Sequence, residues 1–329
     1  MKEIGGYFEL QLRKGEHYHK GAVRLNTARN CLEYILRAKK YKKIYIPYLN
    51  SEVIREPMKK LGIEYEFYSV DLKIDPLFDR ELAPDEVFLY SDIYGIKCNT
   101  VGKLVKRFGK QLIVDNTHAF FSRPYEGIDT IYSPRKFFGL PDGAYLYTDT
   151  LLNDEFEQDM SIPRMTHLMK RIEYGNAGAA YRDYLDYCAG LVNQPVKRMS
   201  NLTNALLANI DYENLKERQI ANFRYLHSVL GKDNRYEYDD LPADTCPLGY
   251  MFYSEDSGLR KKLIDNRIYV STYWRETLDL VKKDSAEYRI VNYLLPLPCD
   301  HRYDEEDMKR IVETIRLPGL AKREEMQRE

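Results

Sequence analysis

Short apolar runs alternate with amphipathic stretches through the first half of the chain. Runs such as Lys43–Tyr48, Val87–Tyr90 and Leu112–Val114 are brief and lie next to Pro or Asp, which is typical of buried strands. Between them, apolar residues recur at helical spacing, as in the segment that opens at Thr27. Because strand and helix patterns alternate from about residue 22 to 148, we expect an α/β domain with a largely parallel sheet.

The second half of the chain has a different pattern. Residues 151–230 are mostly helical in pattern, and the polar run Lys232–Asp240 follows them. Beyond that run, strand and helix patterns predict a small α+β domain. We therefore expect a large domain over residues 1–232 and a small C-terminal domain over residues 233–329. The C-terminal strand patterns are Pro247–Tyr253, Ile268–Trp274 and Val291–Leu297, and the helical ones are Leu259–Ile264 and Asp304–Ile315.

The charges are nearly balanced, with 50 Lys and Arg against 51 Asp and Glu and a net charge of -1 in 329 residues. No global basic field is present, so nucleic acid is not an expected partner. The five cysteines are scattered without CxxC spacing, which favours reduced thiols over a disulfide framework or a zinc site. Because no apolar segment approaches ~18 residues and no signal-peptide pattern opens the chain, we expect a cytoplasmic protein without membrane contact.

Two apolar runs deliver reactive groups where each strand is expected to end. Leu112–Val114 stops at Asp115, and Thr130–Tyr132 leads into a turn that carries Lys136. In an open α/β sheet, ligands bind beyond the carboxyl ends of the strands. An acid and an amine at that edge favour a lysine Schiff base with a pyridoxal ring and a carboxylate on the ring nitrogen. Neither a G-x-G-x-x-G nor a P-loop pattern competes with this interpretation.

Residues beside this pair extend the hypothesis. Imine formation needs an unprotonated Lys136 amine, and the adjacent Arg135 and the apolar residues that follow favour that state. His118 can hydrogen-bond the ring hydroxyl or pack on the ring, and Ser133 can reach a phosphate oxygen. Each residue alone also has an ordinary explanation, such as a helix-capping Asp115 or a solvated Lys136.

The helix that opens near Thr27 is a candidate phosphate site. Asn26 or Thr27 is a good N-cap. The free backbone N–H groups of the first helical turn, at Ala28 and Arg29, suit a phosphate. Taken alone, this segment is explained more simply as an ordinary capped amphipathic helix.

Together these motifs resemble the fold type I pyridoxal-phosphate enzymes, most closely the sugar aminotransferases of the DegT/DnrJ type. The resemblance runs over nearly the whole chain. The segment Asp115–His118 is similar to the D-x-x-Q or D-x-x-H motif of these enzymes, and Lys136 falls at the position of their Schiff-base lysine. The other similar segments are the phosphate-helix start Leu25–Leu32, the strand end Tyr45–Tyr48, Ser91–Gly95 and the closing motif Leu295–Pro298.

The resemblance implies a fold and a cofactor. It implies a large domain with a mostly parallel, seven-stranded-type sheet between helices, together with the small C-terminal α+β domain. It also implies pyridoxal 5'-phosphate and a homodimer, since such sites are usually built at a dimer interface. By this resemblance Lys136 forms the internal aldimine, Asp115 binds the pyridine nitrogen and His118 binds the ring hydroxyl. The residues that it assigns to the phosphate are Thr27, Ala28, Arg29 and Ser133.

The phosphate turn departs from the family's pattern. Ala28 stands where the family prefers Gly, and Arg29 stands where it prefers Thr. The backbone donors survive these changes, and the Arg29 side chain can add positive charge. Ser133 lies closer to Lys136 than the family's serine does.

The expected stacking aromatic is also missing. Ser51 occupies its position, and Tyr48 or Tyr94 is the candidate substitute. Together with the phosphate turn, this difference predicts a divergent branch of the family.

The resemblance implies a pyridoxal-phosphate-dependent aminotransferase. Its small-molecule partners would be an amino acid donor, glutamate by resemblance, and a keto-sugar nucleotide or similar keto acceptor. Trp274, Arg275 and Arg164 are candidate acceptor contacts, and each is also explained as a packing or surface residue. Two alternatives stay open: a lyase or racemase that uses the same cofactor, and a non-catalytic binding protein on a degenerate scaffold.

Overall fold

One eight-stranded sheet forms the centre of the N-terminal part of the protein in the computed structural model, which describes residues 4–317. The strands are β1 (Val23–Leu25), β2 (Lys43–Pro47), β3 (Glu64–Val70), β4 (Pro76–Leu77), β5 (Glu86–Ser91), β6 (Leu112–Asp115), β7 (Asp129–Tyr132) and β8 (Ala144–Tyr147). Their order across the sheet is β1-β8-β7-β6-β5-β2-β3-β4. Only β8 and β4 run against their neighbours, so the other six strands share one direction. The predicted mostly parallel sheet is confirmed, and the two-residue β4 is one strand more than the seven expected.

Ten helices accompany this sheet within residues 4–317. No helix within residues 4–317 combines the length and apolarity needed to cross a membrane. The helices are α1 (Ala28–Lys39), α2 (Arg55–Leu61), α3 (Cys98–Phe108), α4 (Thr166–Tyr174), α5 (Tyr181–Ala189), α6 (Asn201–Ala208), α7 (Tyr212–Leu230), α8 (Leu259–Asp265), α9 (Ala286–Tyr293) and α10 (Glu305–Arg316). Two further strands, β9 (Tyr250–Tyr253) and β10 (Leu294–Leu297), pair antiparallel.

The two faces of the large sheet are buried in separate apolar clusters. In β2, Ile44 and Ile46 belong to the cluster that α1 covers, whereas Tyr45 belongs to the cluster that α3 covers. This division follows from strand geometry, because successive side chains point to opposite faces. With both faces covered, the open positions of the sheet are its edges and strand ends.

The C-terminal part packs around a third apolar cluster. The pair β9 and β10 contacts α7, α8 and α10 there, in an α+β arrangement. Helix α7 belongs to this cluster although it precedes residue 233, so the predicted domain boundary stays a prediction. Buried members of the cluster are Phe223, Leu226, Tyr250, Leu263 and Met308.

One strand prediction in the C-terminal part is wrong, and another begins three residues too early. Residues 268–274 form no strand. Ile268 and Val270 are buried while Tyr269 is exposed. The alternating pattern therefore reflects which side chains pack inward, although no strand pairs with the segment. The predicted strand Val291–Leu297 is confirmed over β10, whereas residues 291–293 belong to the amphipathic helix α9.

A buried lysine ties the C-terminal part to the large sheet. The Lys97 side chain is 1% exposed, and its Nζ lies 2.9 Å from Asp75 Oδ1 and 2.8 Å from Asp239 Oδ2. A buried ammonium is costly unless charged partners surround it. The two carboxylates come from different parts of the chain, so the ion pairs of Lys97 hold those parts together.

Backbone contacts support the same junction. Tyr94 follows β5 in a turn with a φ of 58°, and its carbonyl accepts the Leu248 amide at 2.8 Å. The buried Glu287 carboxylate accepts the Val70 amide at 2.8 Å. Hydrogen bonds from strand ends of the large sheet therefore reach the C-terminal part.

Lys97→Met is expected to lower the free energy of unfolding by about 2 kcal/mol, because it leaves two carboxylates without their shared cation. Urea unfolding followed by circular dichroism measures the change. Lys110→Met is the matched control, since the exposed Lys110 contacts Asp149 at the surface and its loss should cost less than about 0.5 kcal/mol. Equal losses for the two variants would contradict the role assigned to Lys97.

Candidate active site

Three chemically distinct groups meet at one edge of the sheet. Asp115 is the last residue of β6, and Lys136 ends the short helical turn Pro134–Lys136 that follows β7. Helix α1 begins shortly after β1. Because β1, β6 and β7 share one direction, a carboxylate, an amine and a helix N-terminus all lie at the carboxyl edge.

The Asp115 carboxylate is held by two hydrogen bonds. Its Oδ1 accepts the Thr117 amide at 3.0 Å, and its Oδ2 accepts the Ser91 hydroxyl at 3.0 Å. Ser91 Oγ in turn accepts a hydrogen bond from Asn50 Nδ2 at 3.1 Å. Asn50 follows β2 and Ser91 ends β5, so three adjacent strands contribute to one polar chain. The sequence analysis missed Asn50 and Ser91 in this role, for which a polar residue at a strand end was the available signal.

The Lys136 amine is crowded by protein although its side chain keeps contact with solvent. Burial lowers the pKa of Lys136 to about 8, while the Asp115 carboxylate opposes this shift and the Arg135 guanidinium adds to it. An appreciable share of the amine is therefore unprotonated at mildly alkaline pH, as a nucleophilic lysine requires.

Arg135, the neighbour of Lys136, is anchored to the helices α4 and α5. Its Nε donates to the Tyr187 hydroxyl of α5 at 2.5 Å. His167 of α4 stacks on the Tyr187 ring with centroids 4.3 Å apart. The position of the cation beside Lys136 thus depends on these two helices.

His118 is a buried ring that presents one hydrogen-bond donor. Burial, and after it the charge of Lys136, holds the pKa of His118 well below its usual value. Its Nδ1 accepts the Tyr94 amide at 3.3 Å, which assigns the proton to Nε2. The ring packs against Tyr94 and Trp274, at centroid distances of 5.4 and 5.8 Å, and those two rings also contact each other. A neutral imidazole N–H is therefore available beside Lys136.

The first turn of α1 keeps backbone donors available. Thr27 caps the helix with its hydroxyl, and the amides of Ala28 and Arg29 have no acceptor within residues 4–317. Such N–H groups at a helix N-terminus favour an anion. Burial, and after it the Asp115 charge, raises the pKa of Cys31 in the next residues of the helix, so the helix start lies near the carboxylate.

The Arg29 side chain is engaged elsewhere. Its Nη1 lies 2.7 Å from Glu56 Oε2 and 3.1 Å from the Leu191 carbonyl oxygen. The expectation that this guanidinium adds charge to the phosphate turn is therefore not met, because the ion pair with Glu56 neutralises it. The backbone amide of Arg29 keeps its predicted role.

The surroundings of two other predicted residues, Ser133 and Tyr48, do not decide whether they contact a cofactor. Ser133 is buried, and its carbonyl accepts the Lys136 amide at 3.4 Å. Tyr48 stacks on Phe67, with centroids 4.8 Å apart and rings inclined by 12°. Their assigned contacts with a cofactor stay predictions. In the part of the chain that the structure describes, no cluster of His, Cys, Asp and Glu side chains could hold a metal ion.

The three candidate acceptor contacts do not lie together in the structure. Trp274 lies against His118. Arg164 Nη2 instead binds Asp159 Oδ2 at 2.6 Å, and Arg275 is exposed. Of the three, Trp274 is therefore the one that the structure joins to the strand-end residues.

A cavity of about 480 Å³ opens beside the edge strand β1. Its lining includes Arg24, Tyr34 and Arg198 and none of the site residues described above. The chemistry of Asp115 and Lys136 therefore belongs to the carboxyl edge of the sheet and not to this cavity.

No protein-family model and no curated protein matches the chain. Solved structures do match it. A DegT DnrJ EryC1 StrS aminotransferase from Brucella abortus is 16% identical, with a TM-score of 0.58 over 90% of this chain and 85% of that one. The sugar aminotransferase CalS13 from Micromonospora echinospora is 16% identical, with a TM-score of 0.60 over 89% and 86% of the two chains. NtdA from Bacillus subtilis with bound cofactor PMP is 13% identical, with a TM-score of 0.62 over 89% and 72%. The chain therefore shares the fold of these aminotransferases. The α/β fold with a mostly parallel sheet that the resemblance implied is confirmed, whereas the small C-terminal domain stays a prediction.

The reactivity of Lys136 toward acetic anhydride is expected to rise with pH and level off above about pH 8, because only the neutral amine attacks and the pKa lies at about 8. Competitive labelling followed by mass spectrometry measures this profile. Lys170 is the internal control, since its contact with Asp183 raises its pKa and its labelling should still be climbing at pH values where that of Lys136 is level. Parallel profiles for the two lysines would refute a lowered Lys136 pKa.

Proposed function

We propose that this protein is a pyridoxal-phosphate-dependent aminotransferase. It takes the amino group of an amino acid donor, glutamate in the first instance, and passes it to a keto-sugar nucleotide or a similar keto acceptor. The observation that carries the proposal is the Asp115 carboxylate and the crowded Lys136 amine at one sheet edge, beside the start of α1. The fold shared with sugar aminotransferases, and the PMP bound to one neighbour, support the same cofactor class.

The groups at this edge fit the chemistry of the cofactor. Pyridoxal phosphate has a phosphate, a ring nitrogen, a ring hydroxyl and an aldehyde. The site offers, in the same order, unpaired helix amides, the Asp115 carboxylate, the His118 N–H and the Lys136 amine. When bound, the cofactor supplies an electron sink that makes the proton on the donor's α-carbon acidic.

Asp115 would hold the proton of the cofactor's ring nitrogen. Its hydrogen bonds from Ser91 and Thr117 fix the carboxylate, so it can hold the proton of a ring nitrogen without turning toward water. A charge-assisted hydrogen bond of this kind is about twice as strong as a neutral one. Asp115 would therefore keep the bound ring protonated and electron-withdrawing.

Lys136 both binds the cofactor and moves a proton. Its neutral amine is the nucleophile for the aldehyde. With an amino donor bound, Nζ would carry the proton away from the donor's α-carbon, for which the cofactor would supply the electron sink. A pKa of about 8 serves both tasks, because the amine is then often neutral yet still basic enough to accept a proton.

Lys136→Ala is expected to abolish covalent attachment of the cofactor and to slow amino transfer from glutamate by about 10³-fold. Borohydride reduction followed by peptide mapping should find the cofactor on Lys136 of the wild type. Glutamate should then convert the wild-type cofactor to its pyridoxamine form, which absorbance records. Lys261→Ala is the matched control and should retain both properties, since the exposed Lys261 pairs with Asp265 on the same surface helix, α8.

The same assays separate the alternatives. Attached cofactor that no amino donor converts to the pyridoxamine form would contradict transamination and favour a lyase or racemase. A wild type that stays unmodified after reduction would overturn the cofactor assignment and favour a non-catalytic binding protein. With conversion established, keto-sugar nucleotides and 2-oxo acids can be screened as acceptors.

We also propose that two copies of the chain associate through α4 and α5. These helices leave large apolar side chains exposed, among them Ile172 at 78% and Leu185 at 46%. Contiguous exposed apolar surface of this kind marks an interaction site. Tyr187 of the same surface helix holds Arg135 beside Lys136, so this face is continuous with the site and a second copy is its fitting partner. Other exposed apolar residues of the face are Met169, Tyr174, Tyr181 and Tyr184.

The double variant Ile172→Asp, Leu185→Asp is expected to be monomeric where the wild type is dimeric, because the interface would bury two unpaired carboxylates. Size-exclusion chromatography with light scattering measures the mass. Ile264→Asp changes an apolar residue of similar exposure (41%) on α8 and should leave the dimer intact. A fully active monomeric wild type would refute the proposal.

A further inference from the structure

A bound pyridine ring gains affinity from an aromatic partner, and the predicted positions do not supply one. Ser51 carries only a hydroxyl. The Tyr48 ring is stacked on Phe67 at 4.8 Å. The Tyr94 ring is buried against His118 at 5.4 Å. Among the described residues, neither ring lies over the Lys136 amine, so another residue must supply the partner.

Tyr273, from the C-terminal part, lies at the amine. Among the described residues, its ring is the one that lies over Lys136 Nζ, with 5.6 Å between the nitrogen and the ring centroid. The ring also contacts His118 at 5.4 Å and Tyr94 at 5.5 Å, both in edge geometry. The aldehyde and the hydroxyl of pyridoxal phosphate stand on adjacent ring carbons. A ring that touches both Lys136 and His118 therefore borders that part of the cofactor.

The backbone conformation after Tyr273 and a nearby hydrogen bond keep its ring at this position. Trp274 follows with a φ of 53°, a left-handed conformation that is costly outside glycine and tends to occur at functional sites. This turn sets the Trp274 ring against His118, inclined by 23°. Three residues on, the fully buried Thr277 donates its hydroxyl to the Tyr48 carbonyl at 2.7 Å. The segment is thus fastened to the large sheet next to the site.

We propose that Tyr273 stacks on the cofactor's pyridine ring, in place of the aromatic residue absent at Ser51. This inference rests on the proposed function, since it requires pyridoxal phosphate attached to Lys136. The stacking ring would shield the reacting centre from water. It also makes cofactor binding depend on the C-terminal part.

Tyr273→Leu is expected to weaken binding of pyridoxal phosphate by about 10-fold through loss of the aromatic pair. Quenching of Trp274, the one tryptophan of the chain, measures the dissociation constant. Visible circular dichroism of the attached cofactor reports the asymmetry around its ring and should fall in this variant. Tyr273→Phe keeps the ring and should preserve both signals. Tyr253→Leu is the matched control, because it also removes a C-terminal tyrosine whose ring lies against a cation, Arg289, at 6.0 Å, and it should leave both unchanged.

The outcomes distinguish a failure of the proposed function from a failure of the stacking role of Tyr273. A wild type without attached cofactor overturns the proposed function itself. A wild type that attaches cofactor, with a Tyr273→Leu variant that binds it equally well and with unchanged dichroism, overturns only the stacking role. Equal losses in Tyr273→Leu and Tyr273→Phe would also overturn it, because the hydroxyl would then be the contributing group. Thermal unfolding of the cofactor-free variants checks the fold, and Tyr273→Met replaces the leucine variant if that one is unstable.

Discussion

The common direction of six strands is the constraint on which the site depends. Parallel pairing places the carboxyl ends of adjacent strands at one edge. Asn50, Ser91 and Asp115 therefore form one hydrogen-bonded chain although they are 41 and 24 residues apart in sequence. The reversed strand β8 returns the chain beside β1, which brings the start of α1 to the same edge. No local segment could assemble these groups without the sheet.

Burial and charge then set the protonation states at this edge. Lys136 and His118 both lose proton affinity through burial, and the charge of Lys136 lowers the pKa of His118 further. Asp115 works in the opposite direction and keeps the amine basic. The result is a neutral imidazole donor, an oriented carboxylate and an amine poised between its two forms. These three states are the ones that pyridoxal chemistry uses.

The predictable features are those that a few consecutive residues encode. Asp115 and Lys136 were found because each follows a short apolar run that stops abruptly. The support of Asp115 by Asn50 and Ser91 depends on which strands are neighbours, which no single run reveals. Tyr273 was missed for a related reason, because alternating burial in residues 268–274 imitates a strand while the chain in fact turns toward Lys136.

Tyr94 joins the C-terminal part to the imidazole through its own backbone. Its left-handed conformation directs the N–H to His118 Nδ1 and the carbonyl to the Leu248 amide. Both groups belong to one residue, so a displacement of the C-terminal part also moves the donor that fixes the His118 proton. Displacement of the C-terminal part and the tautomer of the ring are then linked equilibria, in which each biases the other by the same free energy.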